Sequence, residues 1–355
     1  MTTLSVVVPA TDRPATLPRC AAALDRAAAA AGGVEIVVVQ GPRGLGVCAA
    51  RNTGAARACG DVIVFVDSDV EVHPDSLVRV RSAFADDPAL TAVFGSYDDA
   101  PPGGTVAAYR NLLHHYVHQR GAGPAATFWS GLGAIRRDAF LAAGGFDGER
   151  FPQPSIEDVD LGVRLVADGA RIVLDPAIQG THLKAWTLRS MVRTDFARRG
   201  VPWVALLLRS GHLRSTAATT LNLGWRHRAS AAACATGVAG LAIRRPATVL
   251  AALLVLLGAN REFYGLLARR RGLGEAVVGV GLHVVHHLTA LAAVPAGVAV
   301  HLRDRRRAHD QQDGCKTRTG TALAPGPTIT AGFPVPDVAI TTVGAPAGDH
   351  ERSAS

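Results

Sequence analysis

Short apolar runs at positions 4–8, 34–39, 62–66, 90–94 and 171–174 divide the first half of the chain. They are rich in Val and Ile and do not alternate with polar residues, as expected of strands covered on both faces. Between them lie helix-forming stretches: the Ala-rich 15–31, closed by Gly32 and Gly33, then 47–59, and one opened by Pro74-Asp75-Ser76. Strand and helix alternating at this spacing predict an α/β architecture, a doubly wound and mostly parallel sheet with right-handed crossovers. Positions 100–128 are less regular and read as a mobile flap. Positions 129–147 hold a Trp-Ser-Gly-Leu-Gly turn, a basic pair and a short helix. Ser155 opens a further helix that carries Glu157, Asp158 and Asp160.

The pattern changes after about residue 215. Residues 229–243 and 246–259 are apolar but split by Arg244-Arg245-Pro246. Each is shorter than the roughly 20 residues a bilayer crossing needs. They suit one kinked span, a re-entrant hairpin or an in-plane pair. Residues 276–300 are long enough to cross. Arg303, Arg305, Arg306 and Arg307 follow directly and assign that end to the cytoplasmic side. Arg269-Arg270-Arg271 argues the same for the preceding loop, which a single crossing between the two clusters does not reconcile. From about 308 the chain is rich in Gly, Pro, Thr and Ala, and is expected to be disordered. The expected division is therefore an α/β domain over 1–215, membrane-associated apolar C-terminal helices over 216–307, and a tail over 308–355.

Charge and cysteine content narrow the function classes. Lys+Arg 37 against Asp+Glu 29 leaves a net charge of +8, with much of the excess arginine after residue 185. Basic clusters beside apolar runs fit anionic lipid head groups. No zinc-finger spacing or aromatic-interleaved basic strand points to nucleic acid. The five cysteines are scattered and form no C-x-x-C pair, which fits a reduced, cytoplasmic environment. The N-terminus runs straight into a strand without the regions of a signal peptide. Together these predict a cell-membrane protein whose first domain faces the cytoplasm.

The densest chemistry is the segment DVIVFVDSDVEVHP, where the 62–66 strand breaks into Asp67-Ser68-Asp69. Ligands of open α/β sheets bind beyond the carboxyl ends of the strands. Asp67 and Asp69 are two apart, so in extended backbone both side chains face one way. A divalent cation completed by phosphate oxygens would relieve their repulsion. The alternative is that the acids only cap the turn.

The stretches SVVVPATDRP, ARNTGAARACGDVIVFVDSDVEVHPDSL, GLGAIRRDAFLAAGGFDGERF and IEDVDLGVRLVADGARI, taken in order over most of residues 4–185, resemble the family 2 glycosyltransferases. The resemblance implies a GT-A-like fold and inverting sugar transfer from a nucleotide-diphospho-sugar to an acceptor hydroxyl. It implies donor contacts from Pro9, Ala10, Thr11 and Arg13 at the first strand's exit, from Gln40 where the family usually carries an acid, and from Arg51 and Asp67. Arg51 alternatively pairs with an acid at the sheet edge. Asp67 and Asp69 correspond to the family's DxD motif, implying Mn²⁺ or Mg²⁺, with His182 as a further metal-side residue. Glu157-Asp158 match the family's catalytic acid pair, with Asp158 as general base. A competing reading makes Ser155 and Asp158 a capping box. Trp129 and Gly131 are the acceptor-side candidates, although Trp129 equally suits core filling. Lys184, Arg198 and Arg199 are candidate phosphate ligands, with solvated surface charge as the alternative.

Asp160 and Arg164, four apart, suit a helix ion pair. His114, His115 and His118 lack a nearby acid to complete a metal site. His283, His286 and His287 lie within an apolar run and are expected to make interfacial contacts or helix–helix hydrogen bonds. The expected partners are thus a nucleotide-sugar donor, a lipid-linked or envelope-glycan acceptor, and the membrane, with no nucleic acid. Two other classes share parts of this pattern. A sugar-nucleotide nucleotidyltransferase would show a Gly-rich basic signature after the first strand, where PATDRP stands. A non-catalytic nucleotide- or glycan-binding protein would not need both acid pairs.

Overall fold

A computed structural model of the chain describes residues 2–12, 14–41, 44–211, 224–316 and 339–343. The apolar runs form strands close to the expected positions: β1 Leu4–Pro9, β2 Glu35–Gln40, β3 Val62–Val66, β5 Leu90–Tyr97 and β8 Arg171–His182. All five run in one direction in one sheet. Running against them are β4 Val70–Val72, β6 Gly123–Ala125, β7 Leu132–Arg136 and β9 Ala339–Val343. The order is β4-β8-β5-β7-β3-β1-β2-β9, with β6 on β8. β7 separates β3 from β5.

Helices cover both faces, and residue parity along the strands shows how. Val6, Val8, Val62, Val64 and Val66 share a core with Cys20, Ala23, Leu24 and Ala27 of α1 (Leu17–Ala30) and Leu77, Val80 and Phe84 of α3 (Ser76–Asp86). The intervening residues point the other way. Phe65 packs on Phe140 and Phe146 at ring-centroid distances of 5.2 and 5.1 Å. Val7 meets Gly54 of α2 (Val47–Arg57), where a Cβ would sit 2.3 Å from Val7 Cγ1, so this helix needs a glycine to lie on the sheet.

Residues 100–128, expected as a flap, instead contain α4 (Thr105–Arg120). Its sixteen residues include no Gly or Pro. The β-branched, aromatic and His side chains that lower its intrinsic propensity are offset by burial of Ala107, Ala108, Tyr109 and Leu112. His115 and His118 accordingly bond carbonyls of β5, at Tyr97 and Gly95, each at 2.8 Å. Burial pushes the His118 imidazole down to about 4.

The chain divides into two compact units, one of Met1–Pro102, His114–Lys184 and Phe333–Ser355 and the other of Gly103–Leu113 and Ala185–Gly332. The second unit contains α7 (Leu188–Arg193), a π-helical segment (Thr194–Gly200) and α8 (Val201–Ser210). It continues with α9 (Trp225–Ala242), α10 (Pro246–Ala259), α11 (Arg261–Arg271) and α12 (Leu273–Lys316). The expected boundary at 215 falls among residues outside the described set. So does most of the expected tail, of which residues 308–316 continue α12 and Ala339–Val343 form β9, along β2.

Arg244, with φ 55°, turns the chain between α9 and α10, and Ala233, Cys234 and Leu256 of these two helices share a small core. The two helices fold back on each other, which rules out one kinked span. A bend of 72° follows between α10 and α11. Residues Leu273–Arg307 form a helix long and apolar enough to cross a membrane.

Candidate active site

The exits of β1, β2 and β3 lie side by side because these strands are parallel neighbours. Pro9 and Ala10 are buried there, Thr11 and Gln40 are half-buried, and the Ala10 N–H donates to Val39 O at 2.9 Å. Asp12 turns the β1 exit with φ 63°, a left-handed conformation that Asp adopts more readily than most residues. Arg13 lies outside the described residues.

Asp67 closes β3. Its N–H donates to Gly131 O at 3.0 Å, and its own carbonyl accepts from Val70 N–H at 2.9 Å. This turn starts β4, which pairs with β8 so that Val70 faces His182. Asp69 therefore lies beside His182, with 3.5 Å from Nε2 to Oδ2. The Leu183 N–H donates to Asp69 O at 2.8 Å, and the His182 ring stacks on Tyr97 with centroids 4.2 Å apart and planes 6° from parallel.

Arg51, on α2, connects the two acid motifs. Its Nη2 donates to Asp67 Oδ1 at 2.6 Å and its Nη1 donates to Glu157 Oε1 at 2.8 Å, with only 4% of its side chain exposed. Of the two uses read from sequence, acid pairing is the one observed, and it joins two acids rather than one. Such a buried cation is tolerable because both partners are charged and hydrogen-bonded. Its Nε is buried without a partner.

Neighbours Glu157 and Asp158, at the start of α6 (Glu157–Ala167), occupy different environments. The second Glu157 oxygen accepts the Ser155 N–H at 2.7 Å, so both its oxygens are engaged. Asp158 accepts at Oδ2 from the Ser130 N–H and hydroxyl, at 3.0 and 3.2 Å, and at Oδ1 from the Val159 N–H at 2.8 Å. The Ser155–Asp158 capping box does not form, and Ile156, the N-cap residue, makes no side-chain cap. The Asp160–Arg164 pair does form, at 3.0 Å, and Arg150 joins it at 3.0 Å.

The carboxyls are electrostatically unequal. Burial, reinforced by the charge of Glu157 and opposed by Arg51, pushes Asp158 up to about 6. Burial and the charge of Asp69 raise Asp67 against the pull of Arg51. Burial also works against ionised Asp69, but His182 and Lys184 outweigh it and hold that carboxyl below its usual range.

Asp67 and Asp69 remain 31% and 25% exposed, so both reach solvent at the end of the sheet. Two hard carboxylates and an adjacent imidazole suit a divalent cation that takes its remaining ligands from phosphates. They are not a closed protein cage: the one trio of metal-ligating atoms within 4.8 Å among the described residues lies elsewhere.

Trp129 packs edge-on against Tyr97 at 4.9 Å and lies against Gly131, where a Cβ would be 2.4 Å from the indole. It is half-buried, part packing and part open. Lys184 is exposed, and Arg198 and Arg199 belong to the second unit's π-helical segment. Sequence reasoning passed over Ser130 and Tyr97, which hold Asp158 and His182. The only signals were a serine inside the Trp-Ser-Gly turn and an aromatic just past the apolar run.

Residues 21–142, which include Arg51 and the Asp67–Asp69 turn, match the model of the family described as glycosyl transferase family 2. Over this segment the chain is similar to glycosyl transferase family 2. The chain is also similar to the pre-mycofactocin glycosyltransferase of two Mycobacterium tuberculosis strains, CDC 1551 / Oshkosh and H37Rv. In each case it is 32% identical over 165 residues, covering 44% of this chain and 34% of the relative. The match thus spans about a third of the length of these relatives.

Solved structures with similarity include a mannosyltransferase from Pyrobaculum calidifontis in complex with GDP-Man and Mn²⁺, at 16% identity and TM-score 0.48, covering 85% of this chain and 88% of that one. Residues 1–349 of S. aureus TarS match at 13% identity and TM-score 0.40, covering 82% and 90%.

Proposed function

We propose that this chain is an inverting glycosyltransferase that moves a sugar from a nucleotide-diphospho-sugar to an acceptor hydroxyl at a membrane. The observation that carries this reading is the Arg51 bridge. One buried guanidinium ties the acid at the exit of β3 to the helix end that presents Asp158. A donor bound over the strand exits and an alcohol beside Asp158 would then share one cleft.

The strand exits at Pro9, Ala10, Thr11 and Gln40 receive the nucleoside, with Arg13 assigned to the same loop. Gln40 offers an amide in place of a charged acid, so it recognises a base edge through hydrogen bonds alone. Asp67, Asp69 and His182 would hold Mn²⁺ or Mg²⁺ against the diphosphate, and a bound ion supplies Lewis-acid neutralisation of the leaving charge. Asp158, poised near 6, is ionised at neutral pH yet basic enough to accept a proton.

Asp158 takes the acceptor hydroxyl's proton as its oxygen bonds to the anomeric carbon. The bond from that carbon to the diphosphate oxygen breaks, and the nucleoside diphosphate leaves with the electron pair. One displacement inverts the centre. Glu157, engaged at both oxygens, serves as a positioning residue that holds Arg51. Trp129 and Gly131 line the acceptor side.

A membrane acceptor, lipid-linked or part of an envelope glycan, is supported by the apolar Leu273–Arg307 helix, where Leu273 and Val277 are 78% and 72% exposed. The arginines after it support a glycosyltransferase domain that faces the cytoplasm.

The test is turnover of a UDP-, GDP- and dTDP-sugar panel by the full chain in detergent with Mn²⁺, comparing wild type with Asp158→Asn. Sugar transfer or donor hydrolysis by wild type alone supports the reading. Pyrophosphate release from a nucleoside triphosphate would replace it with a nucleotidyltransferase. Binding without turnover in either protein would replace it with a passive binder.

A further inference from the structure

The trio of potential metal ligands noted above lies in the second unit. His227, at the start of α9, and His286 and His287, in the middle of α12, each offer a ligand atom, and these atoms lie within 4.8 Å of one another. Hydrogen bonds engage one ring nitrogen each of His286 and His287. His286 Nδ1 lies 2.8 Å from Asp195 Oδ2, a carboxylate also paired with Arg110 at 2.6 Å. A neutral His286 donates this proton to Asp195 and keeps its lone pair on Nε2.

His287 Nε2 lies 3.0 Å from His283 Nε2, and His283 Nδ1 lies 2.9 Å from the Tyr264 hydroxyl. That chain closes with every imidazole neutral when His287 donates to His283 and His283 donates to Tyr264. It leaves a lone pair on His287 Nδ1. This atom is buried, in a side chain of a residue only 1% exposed, and has no hydrogen-bond partner. The opposite tautomer would put a proton on the same unpartnered atom. Leaving either state unmet costs about 1–3 kcal/mol.

We propose that His227, His286 and His287 form a binding site for a borderline-soft divalent cation, Zn²⁺ foremost, that clamps α9 to α12. Three neutral imidazoles with a fourth position open is a ligand set zinc accepts. The absence of directly ligating carboxylates disfavours Mg²⁺ and Ca²⁺, which prefer oxygen ligands. Asp195 acts through His286, fixing its ring and raising its basicity as carboxylates do behind metal-bound histidines. It sits in the π-helical segment, a rare geometry that recurs at functional positions. Arg110 shares the carboxylate, so the cation and the guanidinium are separated by the one anion between them. This site is independent of the carboxylates at the β3 exit and of the sugar-transfer reading.

The experiment is titration of Co²⁺ into the chelator-stripped full chain in detergent, read by the visible d–d bands of tetrahedral cobalt and followed by displacement with Zn²⁺. One equivalent should bind, Zn²⁺ should bleach the bands, and Zn²⁺ should raise the thermal midpoint. Asp69→Ala should bind the same equivalent, whereas His227→Asn and His287→Asn should each weaken binding about 100-fold or more, at or beyond the range seen for lesser, outer-sphere losses. Absence of tetrahedral bands in wild type and Asp69→Ala overturns the proposal, as does a signal unchanged by both histidine replacements. The wild-type and Asp69→Ala titrations decide the matter even where a histidine variant fails to fold.

Discussion

Asp158 and Glu157 are adjacent, yet only Asp158 has the setting that the proposed base requires. The bonds to Glu157 come from a fixed cation and a backbone amide, whereas those to Asp158 come from a serine and from backbone amides in a raised-pKa setting. Asp158→Asn should lower transfer by about 10²–10⁴-fold while leaving donor affinity unchanged; retained turnover in that variant would discard Asp158 as base. The wild-type rate should fall as pH drops through about 6, where the base becomes protonated. The sign for stability is opposite. A carboxyl raised in the folded state disfavours folding once it ionises, so the Asn variant should melt higher than wild type above pH 6. That gap should close as the pH falls toward the ordinary carboxylate value. Arg51 has the converse character. Arg51→Met strands a buried Glu157 and should cost about 3–5 kcal/mol, and adding Glu157→Gln should recover part of it. Additive losses in that double-mutant cycle would mean the pair is not coupled.

At the scale of elements, the strands with unbroken Val/Ile runs and the helices between them were legible in the sequence, because each is a local pattern. The short antiparallel pieces were not. Leu132–Arg136 contains a glycine and is only five residues long. Its identity as a strand depends on β3 and β5, both distant in sequence. Val70–Val72 is shorter still, yet its pairing is what brings Asp69 to His182. The acids themselves were readable from their order along the chain, but the Arg51–Glu157 pair, 106 residues apart, was not, since no local pattern encodes it. α6 offers a prediction at this scale. Alanine normally favours a helix interior over glycine by about 1 kcal/mol. At Gly162 a Cβ would lie 2.2 Å from Phe128 N. Gly162→Ala should therefore destabilise the protein and push α6, with Asp158, away from Ser130. It should lower kcat more than it raises KM for the donor. An unchanged melting temperature and kcat would show that the helix can shift without consequence.

Across the whole molecule, the soluble chemistry and the apolar helices have different physical demands. The sheet carries its acids at strand exits, where water and phosphate can reach them. The second unit exposes apolar side chains along α10 and α12, with Leu250, Leu254, Val277 and Val278 all more than half exposed, and ends this stretch in arginines. On the membrane reading proposed above, a lipid bilayer would cover such a surface and its anionic head groups would attract the flanking charges. The full chain should therefore partition onto vesicles, more strongly when they contain anionic lipid and less strongly as salt rises. Each arginine near the surface contributes about 1 kcal/mol. Replacing Arg303, Arg305 and Arg306 by alanine together should weaken partitioning to anionic vesicles by about 100-fold, while partitioning to neutral vesicles stays nearly the same. Co-sedimentation at two salt concentrations checks both arms. Equal loss on neutral and anionic vesicles would assign these arginines to folding of α12, and no loss on either would remove them from the membrane contact. Turnover of a soluble acceptor should survive the triple change, because the carboxylates and Arg51 proposed to support the chemistry belong to the other unit.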